Sequence, residues 1–88
     1  MKIKVEKPTD EKLEKLGVPS WPIWTKEISK FPWHYDQKEV CYLLEGEVEV
    51  STKDQVVNFG AGDMVTFPEG LDCTWDVKKP VKKHYKMG

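Results

Sequence analysis

Apolar and polar residues alternate through most of this 88-residue chain, and a period of two predicts strands. Ile3 and Val5 fall on one side of an N-terminal segment, with Lys2, Lys4 and Glu6 on the other, an edge-strand pattern. Pro8-Thr9-Asp10-Glu11 opens the one helical stretch, with Thr9 or Asp10 as N-cap and acids in the first turn. Leu13 and Leu16 share a face of that helix, and Gly17 can close it. Beyond Val18 the signals are strands and turns. Strands are predicted at 21–28, 29–35, 39–44, 47–51, 56–59, 64–67, 73–77 and 81–87. Turns at 36–38, 53–55, 60–63 and 68–70, together with Gly46 and Pro80, separate them. Pro32 has no N–H for a ladder and belongs on an edge or in a bend. About eight or nine short strands with regular turns predict an all-β barrel or sandwich.

The alternation meets a conflict in the middle of the chain. Glu39, Cys41 and Leu43 share a face, and an unbroken strand would add Glu45, Glu47 and Glu49 to it. Three more carboxylates in a small core are not tolerable without partners. A bend or bulge near Gly46 would exchange the faces, turning Val48 and Val50 inward and the three glutamates to water.

Composition narrows the functional classes. The length allows one domain, residues 1–88, with a limited core, so a homodimer is expected. All 14 basic residues are lysine and the net charge is −1. Without arginine forks or a basic surplus, nucleic acid is not the expected partner. No apolar run reaches the ~20 residues of a membrane helix, and no secretory signal is visible, so a cytoplasmic protein without a membrane partner is expected. Cys41 and Cys73 then read as free thiols.

Gly62, five residues, then Pro68-Glu69-Gly70 is a turn, a short strand and a second turn. With Glu39 and Gly46 upstream, it resembles the two signatures of the cupin superfamily, over roughly residues 21–87. The chain looks most like the small single-domain cupins of the (S)-ureidoglycine aminohydrolase and ethanolamine-utilisation type. Trp21-Pro22-Ile23-Trp24, the run from Glu39 to Gly46, the run from Phe67 to Trp75, and Lys83-His84-Tyr85 carry that likeness. The resemblance implies a jelly-roll-like barrel of two antiparallel sheets preceded by one short helix. It also implies an interior pocket into which Glu39 points.

The family's metal-ligand positions are only partly kept. His34 and Glu39 match, but Pro32 stands for one histidine, Cys73 for another, and Val77 for an asparagine. His34, Glu39 and Cys73 together could hold zinc, iron, manganese or nickel. A metal-free pocket that keeps the scaffold is the preferred expectation. In it Glu39 is the central polar group, a general base or a ligand anchor that needs a hydrogen-bond partner or a raised pKa. Trp33, Cys41, Phe67, Cys73, Trp75 and Tyr85 would line the pocket, with His34 at its mouth. Trp21 and Trp24, if exposed, would mark a dimer surface, and the lysines at 78–86 read as a solvated strand edge. The leading expectation is a binder of a small-molecule metabolite. The alternatives are a metal-dependent enzyme on a small nitrogenous or carbohydrate-like metabolite, and an accessory subunit whose barrel is filled by its own side chains.

Overall fold

The computed structural model describes residues 1–88. The short helix α1, Asp10–Leu16, forms as its caps demand. The Thr9 side chain accepts a hydrogen bond from the Lys12 amide at 3.1 Å, and Gly17 closes the helix at φ 74°. None of its residues is buried, so α1 lies outside the core. A 3₁₀ turn at Val18–Ser20 follows, and Val18 is buried. No helix is long and apolar enough to cross a membrane.

The rest is strand: β1 Lys4–Glu6, β2 Ile23–Lys26, β3 Ser29–His34, β4 Glu39–Ser51, β5 Val56–Gly60, β6 Met64–Phe67 and β7 Asp72–Met87. The expected eight or nine short strands are thus seven. Residues 39–44 and 47–51 run together as β4, and residues 73–77 and 81–87 as β7. Every pairing is antiparallel. The two long strands each serve both halves of the fold. One half reads β1-β6-β4-β7-β2, and the other adds β5 to the far part of β4 and β3 to the near part of β7. This is the all-β barrel of two antiparallel layers, linked through the bends of β4 and β7. Pro32 sits on β3, which pairs only with β7 and is therefore an edge.

The face exchange occurs where the charge conflict required it. Glu39, Cys41 and Leu43 are buried, Glu45 and Glu47 are exposed, and Val48 and Val50 are buried. The ladder with β7 shifts register between Leu43 and Val48. Pro80 falls between the Glu47–Lys79 and Glu45–Lys82 pairs, so its missing N–H interrupts no regular pair. Gly46 has φ 114°, and a Cβ there would lie 2.8 Å from the Pro80 carbonyl oxygen and 2.9 Å from Val81 Cα. Only glycine lets the two bends approach this closely.

The core lies between the layers. Leu43, Val65, Phe67 and Val81 from one half meet Val48, Val50, Phe59, Trp75 and Val77 from the other. Phe67 stacks on Tyr35 at 4.8 Å, and the Trp75 ring lies within 5.7 Å of both Phe59 and Phe67. The turn before β6 is tied to β4: Leu43 N–H donates to the Asp63 carbonyl and Gly62 N–H to the Leu43 carbonyl. The Asp63 carboxylate accepts from the Gly60 amide at 2.8 Å and from Lys7 Nζ at 2.7 Å, latching the N-terminal segment onto that turn.

Gly46→Ala should therefore destabilise the protein by about 3 kcal/mol or more, since strain and a backbone clash coincide. Gly62→Ala has φ 90° but open space around its Cβ, and should cost only about 1 kcal/mol. Urea unfolding of both variants beside the native protein checks the contrast. Equal midpoints for the two would sink this account of the bend.

Candidate functional site

Two inward rows of side chains build the site. Along β4 the row is Glu39, Cys41 and Leu43. Along β7 it is Lys83, Tyr85 and Met87, facing Leu43, Cys41 and Glu39 in that order. Lys83 thus starts two rows away from Glu39, and its four-carbon stem spans the offset. Its Nζ reaches Glu39 Oε2 at 2.8 Å, and both side chains are only 6% exposed. The ammonium also lies 4.7 Å from the centroid of the Trp24 ring and 4.6 Å from that of Trp75. One carboxylate and two indole faces therefore surround a single buried cation. Trp24 and Trp75 meet edge to face at 6.0 Å, which holds the two faces in place.

A further polar group completes the arrangement. Trp75 Nε1–H donates to the Tyr35 hydroxyl oxygen at 3.2 Å. Burial, and after it the Glu39 carboxylate, push the Tyr35 hydroxyl far above the usual phenol range, so it stays protonated. No buried side-chain nitrogen or oxygen lacks a partner.

This network borders a cavity of about 290 Å³ that opens to solvent. Phe31, Trp33 and Tyr85 line it with Trp24 and Trp75, while Trp33 and Met87 stay 53% and 41% exposed and lie nearest solvent. Phe31 stacks on Trp75 at 6.2 Å and meets Trp33 edge to face at 6.5 Å, so the wall is one connected aromatic surface. The Glu39–Lys83 pair is the only charged feature of the lining.

Of the residues expected to line the pocket, Trp33, Glu39, Trp75 and Tyr85 do so. Cys41, Phe67 and Cys73 do not: they are buried in the core beside it, at 0%, 0% and 7% exposure. Burial raises the Cys41 thiol from 9.0 to about 12 and the Cys73 thiol to about 11, so both are inert at neutral pH. His34 is not at the mouth. Its ring lies half exposed, with Nδ1 2.6 Å from Asp72 and Nε2 3.6 Å from Asp36.

The metal set His34, Glu39 and Cys73 therefore does not assemble, and no group of three or more His, Cys, Asp or Glu side chains is arranged to hold a metal ion. The donors do not fit a divalent ion. Glu39 is already neutralised by Lys83, His34 is tied to aspartates, and the protonated Cys73 thiol donates to the Trp33 carbonyl at 3.7 Å.

Lys83 and Trp24 are the principal residues that sequence reasoning missed. Lys83 was expected on a solvated edge but is 4% exposed. Trp24 was to mark a dimer surface only if exposed, and it is partly buried and packed against Trp75. A signal for Lys83 existed: Cys73, Trp75, Val77, Val81, Lys83 and Tyr85 are all odd-numbered and share a face, and an inward Glu39 needs a cation. Trp24, Phe31 and Tyr35 carried no such signal, because which strands neighbour β7 is settled only in the fold.

Similarity to known proteins agrees with this architecture. The chain matches the EutQ-like cupin domain over residues 13–85. It is similar to a DUF861 family protein from Thermotoga maritima, at 55% identity, covering 99% of this chain and 100% of that one with a TM-score of 0.97. A putative ethanolamine utilization protein Q from Salmonella typhimurium aligns at 25% identity over 74% of this chain, with a TM-score of 0.67. The chain spans about half (53%) of that protein's length. The EutQ protein of Clostridium difficile is 18% identical, with 81% of this chain and 71% of that one covered and a TM-score of 0.65, a likeness of fold alone. No curated protein matches the chain.

Two outcomes follow from the buried groups. Lys83→Met leaves Glu39 buried without its cation and should cost about 3–5 kcal/mol, whereas Glu39→Gln with Lys83→Met should recover much of that loss. Denaturant melts of the single and double variants test this, and additive losses would contradict a coupled pair. The thiols give the second outcome. Their folded pKa values lie above the unfolded one, so the protein binds more protons folded than unfolded between the two. Stability should be highest below pH 9 and fall as pH rises toward 11–12, by up to ~1.4 kcal/mol per pH unit from the fully buried Cys41 and by less from Cys73. Melts from pH 8 to 11 with Cys41→Ala alongside would show a shallower alkaline loss in the variant.

Proposed function

The chain belongs to the EutQ-like cupin family, and we propose that its barrel pocket binds a small organic molecule, with Glu39 and Lys83 as the polar anchor and the aromatic wall as the seat. The observation that carries this reading is the open cavity of about 290 Å³ with one neutralised ion pair set in an otherwise apolar, mostly aromatic lining. Ligand pockets have this character: mostly apolar surface for affinity, and a few fixed polar groups for orientation. A barrel filled by its own side chains would leave no such space. Core packing elsewhere is dense, and the rings around the cavity are held against one another rather than collapsed into it.

The ligand would enter past Trp33 and Met87, which are the exposed members of the lining. It would slide along Phe31, Trp33 and Tyr85 and place its polar end toward Glu39 and Lys83. Tyr35 would then act as a positioning residue, keeping Trp75 and hence the Lys83 cage in place through the indole hydrogen bond. Nothing in the arrangement supplies an activated nucleophile: both thiols are held protonated. Binding, rather than bond-making by the protein, is what these residues are equipped for.

Three of the four tryptophans, Trp24, Trp33 and Trp75, border the cavity, so occupancy should change intrinsic fluorescence. A fragment library of flat heterocycles screened by fluorescence and by NMR shifts should yield ligands of about millimolar affinity or better. Trp33→Ala should weaken them at least ~5-fold, as expected for losing about 1 kcal/mol or more of ring contact, with little effect on folding. A library without a single hit at this cavity, in a folded protein, would remove the reading.

A further inference from the structure

Resting on that reading of the cavity, we infer that its ligand is an uncharged, planar compound with adjacent hydrogen-bond donor and acceptor atoms, of amide, lactam or urea type, and that the Glu39–Lys83 pair enforces this choice. The lining contains one carboxylate and one ammonium, 2.8 Å apart, and no other ionic group. Their charges cancel. A ligand carrying net charge would leave its own charge without a counterpart inside an aromatic wall. A ligand cation would have to displace Lys83 from Glu39, against a tethered competitor already held by two indole faces. A ligand anion would have to displace Glu39 from Lys83, leaving a buried carboxylate unpaired.

A neutral head group meets neither obstacle. Lys83 has three N–H donors, of which Glu39 Oε2 takes one at 2.8 Å, so a carbonyl oxygen can accept from the ammonium. Glu39 has further acceptor capacity beside the Tyr35 hydroxyl, which hydrogen-bonds toward it, and can accept from an N–H placed beside that carbonyl. The pair is thus a donor and an acceptor side by side, the complement of a planar amide edge. The same plane continues into a flat body that lies along Phe31, Trp33 and Tyr85. The tethered cation also occupies the carboxylate that a divalent ion would need, so the pocket refuses metal ions and organic cations for one reason.

Three probes of similar size separate the possibilities: benzamide, benzoate and benzylamine, the last a cation at neutral pH. Each is titrated into the 88-residue protein and into Lys83→Met and Glu39→Gln, with binding read by NMR shifts at the cavity residues. The native protein should bind benzamide at least ~10-fold more tightly than either ion. Lys83→Met should reverse the order in favour of benzylamine, and Glu39→Gln in favour of benzoate. Benzoate or benzylamine binding the native protein as tightly as benzamide would overturn the inference even if both variants failed to fold. Folded variants that keep the native preference would also overturn it. If the wider library contains ligands but only charged ones, the cavity is a ligand site and the inference alone fails. If no compound of either set binds, the reading of the cavity fails first.

Discussion

The close approach of Gly46 to Pro80 and Val81 is the constraint on which the rest of this structure depends. Two strands of 13 and 16 residues lie side by side, and both must bend to serve the two layers of the barrel. At that bend β4 changes faces. Before it, the inward residues are Glu39, Cys41 and Leu43, and after it they are Val48 and Val50. A strand that kept its phase would have carried Glu45, Glu47 and Glu49 into the core. A residue larger than glycine would have separated the two bends, because the atoms in its way belong to the backbone and cannot turn aside. The bulge thus decides at once which carboxylates meet water and which single one is kept inside.

That one carboxylate sets the chemistry. An inward Glu39 requires compensation, and the fold supplies it from the neighbouring row of β7 as a lysine rather than as a bound cation. The two indoles stabilise the ammonium without adding charge, and the Tyr35 hydroxyl fastens one of those indoles. Structural roles and the proposed binding role fall on the same side chains. Trp75 is a core residue, a wall of the cavity and half of the lysine's cage. This economy suits a small domain, in which few side chains can be devoted to one role alone.

The likeness to EutQ-like cupins extends over the fold, while the chemistry of a site belongs to particular side chains. The turn glycines and the Pro68-Glu69-Gly70 corner keep the scaffold that places Glu39. The side chains expected to join Glu39 as metal ligands lie apart from it: Cys73 is a buried, protonated thiol, and His34 lies outside between two aspartates.

Much of the fold was legible in the amino-acid order alone, because its causes are local. Period-two alternation named the strands, Thr9 and Gly17 bounded the helix, and the excess of glutamates after Leu43 forced a face change near Gly46. The inward aim of Glu39 followed from the family likeness. What the order could not show is which strands become neighbours. Lys83 lies 44 residues from Glu39, Trp24 lies 51 from Trp75, and Tyr35 lies 40 from Trp75; each pair meets only because distant strands are brought against one another. A lysine in a run of lysines looks solvated until its row is known to face a buried carboxylate. Burial and charge compensation are properties of the packed chain, so the tertiary structure alone turned a presumed solvated edge into the centre of the site.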